Sequence, residues 1–303
     1  MLKHDFEYRF REPLAAPEEL GGRPPAYRRS VDQGAIIERD VAVPMRDGVK
    51  LYADLFRPAD EKPAALLIAW GPYGKHSPTN YARQFPTSGV DASKLSAYTA
   101  FEAPDPIYWV SQGYAVINVD IRGMWFSEGT ATFLSPEEGE DFYDMVEWAG
   151  TQPWSNGKVG MLGISYYAGN QWRVAGRHPP HLAAIIPWEG QNDRYRDSGY
   201  HGGILCQFQE RWAKHQVANI QYGRGEGAKK NPNTGESVAG PVTLSDEELA
   251  KHRVDAFEEL KKHPLDDEWH RSRSADLSLV RTPLLTCANW GGQGIHPRGN
   301  FNG

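Results

Sequence analysis

A serine set between a glycine and two tyrosines, Gly163-Ile164-Ser165-Tyr166-Tyr167, is where the residue types of this chain first suggest chemistry. The apolar run Val159-Gly160-Met161-Leu162 leads into it, and helix-compatible sequence begins at Tyr166. Strand, sharp turn and helix together form a nucleophile elbow, which lifts a serine hydroxyl clear of the backbone. The same turn aims the first N–H groups of the helix at the point where negative charge develops on an attacked carbonyl. The chemistry implied is acyl transfer through Ser165. Gly163 stands two residues before the serine, where the elbow needs a small residue, but Tyr167 occupies the position two after it, where a second glycine is usual. Read alone, the stretch fits an ordinary βα turn equally well, so its surroundings must decide.

Three other apolar runs, 64–69, 114–119 and 182–186, read as strands buried on both faces. Each ends in a loop rich in functional groups: Gly71-Pro72-Tyr73-Gly74-Lys75-His76, Asp120-Ile121-Arg122-Gly123 and Pro187-Trp188-Glu189-Gly190. Open α/β sheets place their ligands at these carboxyl ends. Ser135-Pro136-Glu137-Glu138 is a capping box with proline at the first helical position. Phe142, Met145, Val146 and Ala149 then give that helix one apolar face. Upstream, alternating segments 36–43 and 49–56 flank Met45-Arg46-Asp47-Gly48 and predict a hairpin, the antiparallel edge of an otherwise parallel sheet.

The β–α rhythm breaks over 191–275, a polar, aromatic stretch with a helix expected near 245–262. Its start is marked by a second capping box, Ser245 to Glu248, with Leu249, Arg253, Ala256 and Leu260 on one face. This reads as a helical cap inserted over the sheet. Sheet sequence resumes at 282–288. The expected organisation is an irregular, Pro- and Arg-rich arm over 1–35, a first core part over 36–190, the cap over 191–275, and an incomplete second core part over 276–303. The fold class is α/β, with a mostly parallel central sheet.

Composition narrows the function classes. The 303 residues carry 33 basic and 39 acidic side chains, a net charge of −6 with no basic block, which argues against nucleic-acid binding. Cys206 and Cys287 stand alone, without ligand or disulfide spacing, so no metal and no cofactor is expected. The charged N-terminus has no signal-like apolar region and no run reaches membrane-spanning length, pointing to a cytoplasmic protein. Oligomeric state is not readable.

At this level the chain resembles the cocaine-esterase-like and X-Pro dipeptidyl-peptidase-like serine hydrolases, of the α/β-hydrolase fold. The resemblance rests on Asp47-Gly48-Val49-Lys50-Leu51, Gly71-Pro72-Tyr73, Asp120-Ile121-Arg122-Gly123 with Ser127-Glu128-Gly129, Gly157-Lys158-Val159-Gly160, Gly163-Ile164-Ser165-Tyr166, and Thr282-Pro283-Leu284-Leu285 with Trp290. It implies Ser165 as nucleophile, the Tyr73 hydroxyl as one oxyanion donor and the Tyr166 N–H as the other. Asp120 and Arg122 are expected as an ion pair or turn support beside the site.

The resemblance also implies an acid two residues after Trp290 and a histidine a few tens of residues later. Gly292 occupies the acid position and the histidine is expected beyond Gly303, so a truncated chain is expected; His296 reads as a loop histidine. The implied substrates are small esters, amides or short peptides. Glu189 and Asp193 are candidates for holding a substrate amino group, and Tyr195, Tyr200, Phe208 and Trp212 for lining an apolar acyl site. An inactive fragment serving as a binding module is the competing expectation, with acyl transfer from Ser165 a third.

Overall fold

Asp47 and Gly48 turn the chain as their chemistry allows. A computed structural model describes residues 26–75, 87, 89–231, 235, 237–292 and 294–303. In it, β2 (Ala35–Pro44) pairs antiparallel with β3 (Lys50–Pro58) around a turn in which Gly48 takes φ +87°. The register slips between Glu38 and Val41, where Asp40 adopts φ +56° and sends its carboxylate inward. A bulge re-aims a side chain in this way. β1 (Arg28–Asp32) pairs with β2, so the last part of the expected irregular arm is a strand instead. All five of its residues are exposed, which left no apolar alternation to read. Residues 1–25 of that arm lie outside the described residues.

The other strands are β4 (Ala64–Gly71), β5 (Tyr114–Asp120), β6 (Ser155–Ile164) and β7 (Leu182–Trp188), in the sheet order β1-β2-β3-β5-β4-β6-β7. Strands β5, β4, β6 and β7 are mutually parallel, while β1, β2, β3 and β5 pair antiparallel. Helix α1 (Pro106–Ser111) packs Val110 and Ile107 against Phe56, Leu67, Val116 and Leu162 on one face. Helices α2 (Pro136–Gly150) and α3 (Tyr166–Ala175) bring Phe142, Met145, Val146 and Trp172 to the other, against Leu66, Ile68, Ile117 and Met161. Adjacent strand residues such as Leu66 and Leu67 thus serve opposite cores, as period-two geometry dictates. Burying each such side chain contributes roughly 1.5–3 kcal/mol.

Residues 283–287 lie along the outer edge of β7 through four backbone hydrogen bonds of 2.8–3.2 Å, with bridges at Ile185↔Leu284 and Trp188↔Cys287. The sheet sequence expected here is present as separate bridges rather than a continuous ladder.

The inserted region is built of short pieces. A π-helical turn over Arg194–Gly199 is followed by the hairpin β8 (Tyr200–His201) and β9 (Ile204–Leu205), then by α4 (Phe208–Trp212). The helix expected near 245–262 is two helices, α5 (Asp246–Lys251) and α6 (Ala256–Lys262). Arg253 leaves the helical path to bridge Ala131, and the Asp255 carboxylate restarts a helix by accepting the Phe257 and Glu258 N–H groups. The Ser245 capping box forms in full, and Leu249 and Leu260 remain buried. Two short helices follow, α7 (Glu268–Arg271) and α8 (Pro297–Asn302). No helix among the described residues is long and apolar enough to cross a membrane.

Candidate active site

Ser165 sits between β6 and α3 with φ +62° and ψ −111°, a backbone conformation that few non-glycine residues adopt. Such strain at the head of a helix is what holds a nucleophilic hydroxyl outward. Its N–H donates to Trp188 O at 2.9 Å, tying the turn to the end of β7. The tyrosine in place of the usual second glycine has a structural answer. A Cβ on Gly163 would stand 2.5 Å from Tyr167 Cβ, and one on Gly71 would stand 2.7 Å from the Tyr167 ring. Tyr167 therefore fills the space that two bare glycines leave open.

Tyr73, on the loop after β4, is buried, and its hydroxyl accepts a hydrogen bond from the Trp212 indole at 3.1 Å. The same hydroxyl is within hydrogen-bonding reach of Ser165 and Glu102. Burial, and then the Glu102 carboxyl, push the Tyr73 phenol well above its ordinary pKa, so it stays a proton donor. The Tyr166 N–H opens α3, where helix geometry provides it no intrahelical acceptor. The Tyr166 hydroxyl donates to Glu138 at 2.7 Å and accepts from the Leu134 N–H at 2.9 Å.

Glu138 shows how tertiary structure overrides a local signal. Ser135 caps α2 as expected, accepting the Glu138 N–H at 3.0 Å, but the Glu138 side chain does not return to Ser135. It turns into the core and accepts from the Trp70 indole at 3.0 Å, the Asn170 amide at 3.2 Å, Tyr166 and the Leu134 N–H. Burial raises its pKa against the pull of Arg173.

A histidine stands beside Ser165 where the sequence did not place one. His296 Nε2 lies 2.8 Å from Ser165 Oγ, and His296 Nδ1 lies 3.2 Å from Glu189 Oε2. The histidine expected as a loop residue thus reaches the elbow. The Glu189 contact is close enough for an ion pair but is not aligned as a hydrogen bond. Burial lowers the His296 pKa from its ordinary 6.5, with Glu189 opposing, so the ring is a neutral acceptor at neutral pH. Gly292 lies beside it, and a Cβ there would stand 3.3 Å from His296 Cβ. Two signals could have pointed to the trio. Glu189 follows a buried strand at the carboxyl edge, and Ser165, Glu189 and His296 run in the chain order this elbow uses, serine, acid, histidine.

Other expected contributors are engaged elsewhere. Glu189 faces His296, and Asp193 caps the Arg194–Gly199 turn and pairs with Arg196 and Arg298, which is not the open carboxylate pair expected for an amine. Asp120 and Arg122 do not pair with each other. Arg122 binds Asp141 and Asp47, while Asp120 faces buried Lys75, which also meets Asp40 and Asp54. Phe208 and Trp212 line the site as expected, whereas Tyr195 and Tyr200 stack on one another. Among the described residues no cluster of three or more His, Cys, Asp or Glu is arranged to hold a metal ion.

Ser165, His296, Tyr73, Trp212, Phe208 and Arg194 help enclose a cavity of about 30 Å³. A serine hydroxyl, an imidazole with a carboxylate behind it, and a buried phenol thus converge on one small space.

Residues 47–302 match the family described as X-Pro dipeptidyl-peptidase (S15 family). The chain is 27% identical over 275 residues to a cocaine esterase of Rhodococcus sp. (strain MB1 Bresler), covering 86% of this chain and 45% of that protein. A crystal structure of a CocE/NonD family hydrolase from Staphylococcus aureus superposes with a TM-score of 0.75 at 36% identity, covering 94% of this chain and 48% of that one. An α-amino acid ester hydrolase shares the fold, with a TM-score of 0.56 at 22% identity. The chain spans about half the length of the relatives it matches.

Proposed function

The chain belongs to the X-Pro dipeptidyl-peptidase (S15) family, and from that we propose that it is a serine hydrolase cleaving a small ester, amide or short peptide through an acyl-Ser165 intermediate. The observation that carries this reading is the 2.8 Å contact between Ser165 Oγ and His296 Nε2. Ser165 Oγ attacks the substrate carbonyl carbon while His296 Nε2 takes the hydroxyl proton. The carbonyl electrons move onto oxygen, where the Tyr73 hydroxyl and the Tyr166 N–H donate to the oxyanion. His296 returns the proton to the leaving alcohol or amine as the tetrahedral species collapses. Water, deprotonated by the same ring, then releases the acid from Ser165. Glu189 orients the ring and stabilises its charged form.

The test is covalent labelling. A fluorophosphonate probe is expected to modify Ser165, and Ser165→Ala to abolish both labelling and p-nitrophenyl ester turnover. Full turnover by the alanine variant would sink the assignment. The competing expectation, an inert binding module, requires that neither labelling nor turnover occur in the unaltered chain.

A further inference from the structure

Arg194 opens the π-helical turn of the inserted region and is only 4% exposed. A buried guanidinium is normally matched by a carboxylate. Among the described residues none lies within ion-pair distance of Arg194. Its Nη1 donates to Ser198 Oγ at 2.8 Å and to Gln209 Oε1 at 3.2 Å, both neutral acceptors. Its Nε and Nη2 make no hydrogen bond to another described residue. The charged neighbour that bears on it is another cation, Arg173. Burial lowers its pKa to about 10, which leaves it a cation throughout the neutral range. The side chain lines the same cavity as Ser165, His296 and Tyr73.

We propose that Arg194 is a specificity residue that receives a carboxylate of the substrate, so that the acids released at Ser165 are short dicarboxylic acids from their monoesters or monoamides. This rests on the serine-hydrolase reading above for its chemistry, though the anion site itself does not need Ser165. A planar guanidinium presents a fork of N–H donors that matches a carboxylate. The substrate then supplies the counter-charge that the fold does not. Ser198 and Gln209 hold the fork in place by occupying Nη1, leaving Nε and Nη2 for the ligand. Arg194 and Ser165 line the same small cavity, which favours a short spacer between the acid and the scissile carbonyl.

Two measurements test it. In calorimetric titrations, succinate should bind the unaltered chain roughly ten- to hundredfold more tightly than neutral succinamide, the range of one charge-assisted contact. Arg194→Gln should erase that difference and Arg194→Lys should keep part of it, with circular dichroism confirming that each variant is folded. In turnover, the ratio of kcat/KM for monomethyl succinate over methyl butyrate, followed by methanol release, should fall by a similar factor in Arg194→Gln. Equal binding of succinate and succinamide by the unaltered chain, or a preference that survives Arg194→Gln, overturns the proposal. Turnover without acid preference defeats the proposal and leaves the hydrolase reading standing. Succinate selectivity without any turnover does the reverse.

Discussion

Ser165 Oγ and His296 Nε2 stand 2.8 Å apart across 131 positions of sequence. Ser165 is held by a strained turn at the end of β6, and His296 is delivered by the loop before α8. Both line one small cavity, so a proton can pass between them over a single hydrogen-bond length.

Replacing His296 with Gln removes the proton acceptor and leaves a side chain of comparable length. The rate of fluorophosphonate labelling and of ester turnover is expected to drop by at least about 10³-fold, as loss of the base does in such trios. Stopped-assay turnover and labelling kinetics read this directly. An unchanged labelling rate would show that another group deprotonates Ser165.

The acid limb of the pH–rate profile carries a second expectation. In the proposed mechanism His296 acts as base only when neutral, so activity should fall as pH drops through its pKa. Burial holds that pKa below the ordinary 6.5, and Glu189 pulls it upward. Glu189→Gln should therefore move the limb to lower pH while slowing the plateau about 10²- to 10⁴-fold through loss of ring orientation. A limb that stays in place, or rises, would separate Glu189 from His296.

Tyr73→Phe deletes the proposed oxyanion donor and the acceptor of the Trp212 indole. A loss of about 10²–10³ in kcat with little change in KM is expected, because the contact strengthens only as charge develops on the substrate oxygen. A change confined to KM would assign Tyr73 to ground-state binding.

The glycine at 163 and the tyrosine at 167 form one steric unit. Gly163→Ala places a methyl 2.5 Å from Tyr167 Cβ, an atom fixed by its helix, and should cost more than about 2 kcal/mol in chemical denaturation. Tyr167→Gly removes that clash but leaves the φ of +158° at position 163, so the double variant should lose less than the sum of the two single losses. Additive losses would place the strain elsewhere.

Asp120 offers a stability test away from the chemistry. Burial lifts its pKa from 3.8 to about 7, with Lys75 opposing. The folded state therefore holds a proton that the unfolded state releases, and this group's contribution to stability is lost as pH rises from about 4 to about 7. Asp120→Asn keeps the neutral form at every pH. Its melting temperature should gain on that of the unaltered chain across this interval and run parallel above it. A gap that widens the other way would mean that Asp120 is ionised beside Lys75.

The strand ends and the elbow were legible because buried parallel strands write continuous apolar runs and the serine turn has a fixed local grammar. β1 was not, since an exposed edge strand carries no alternation. The single helix expected near 245–262 failed because an apolar face can continue in sequence across a break that Arg253 and Asp255 impose in space. Tyr73 was reached through family resemblance, not spacing. His296 and Glu189 were missed as partners for a physical reason: their proximity depends on how residues 283–287 lie along β7 and fold back, which no local pattern records. Arg194 looked like any arginine until its burial was visible.

The placement of β5 between β3 and β4 has a consequence for how the protein is made. During synthesis β3, already able to pair with β2, is followed by β4, yet the two do not pair with each other. Both wait for β5, which ends about 50 residues after β4, a delay of a few seconds at ordinary ribosomal speeds. Through that interval the unpaired edges of β3 and β4 stand exposed on the nascent chain. Yield in a host cell will therefore depend on translation pace and chaperone supply across this stretch as much as on the stability of the finished sheet.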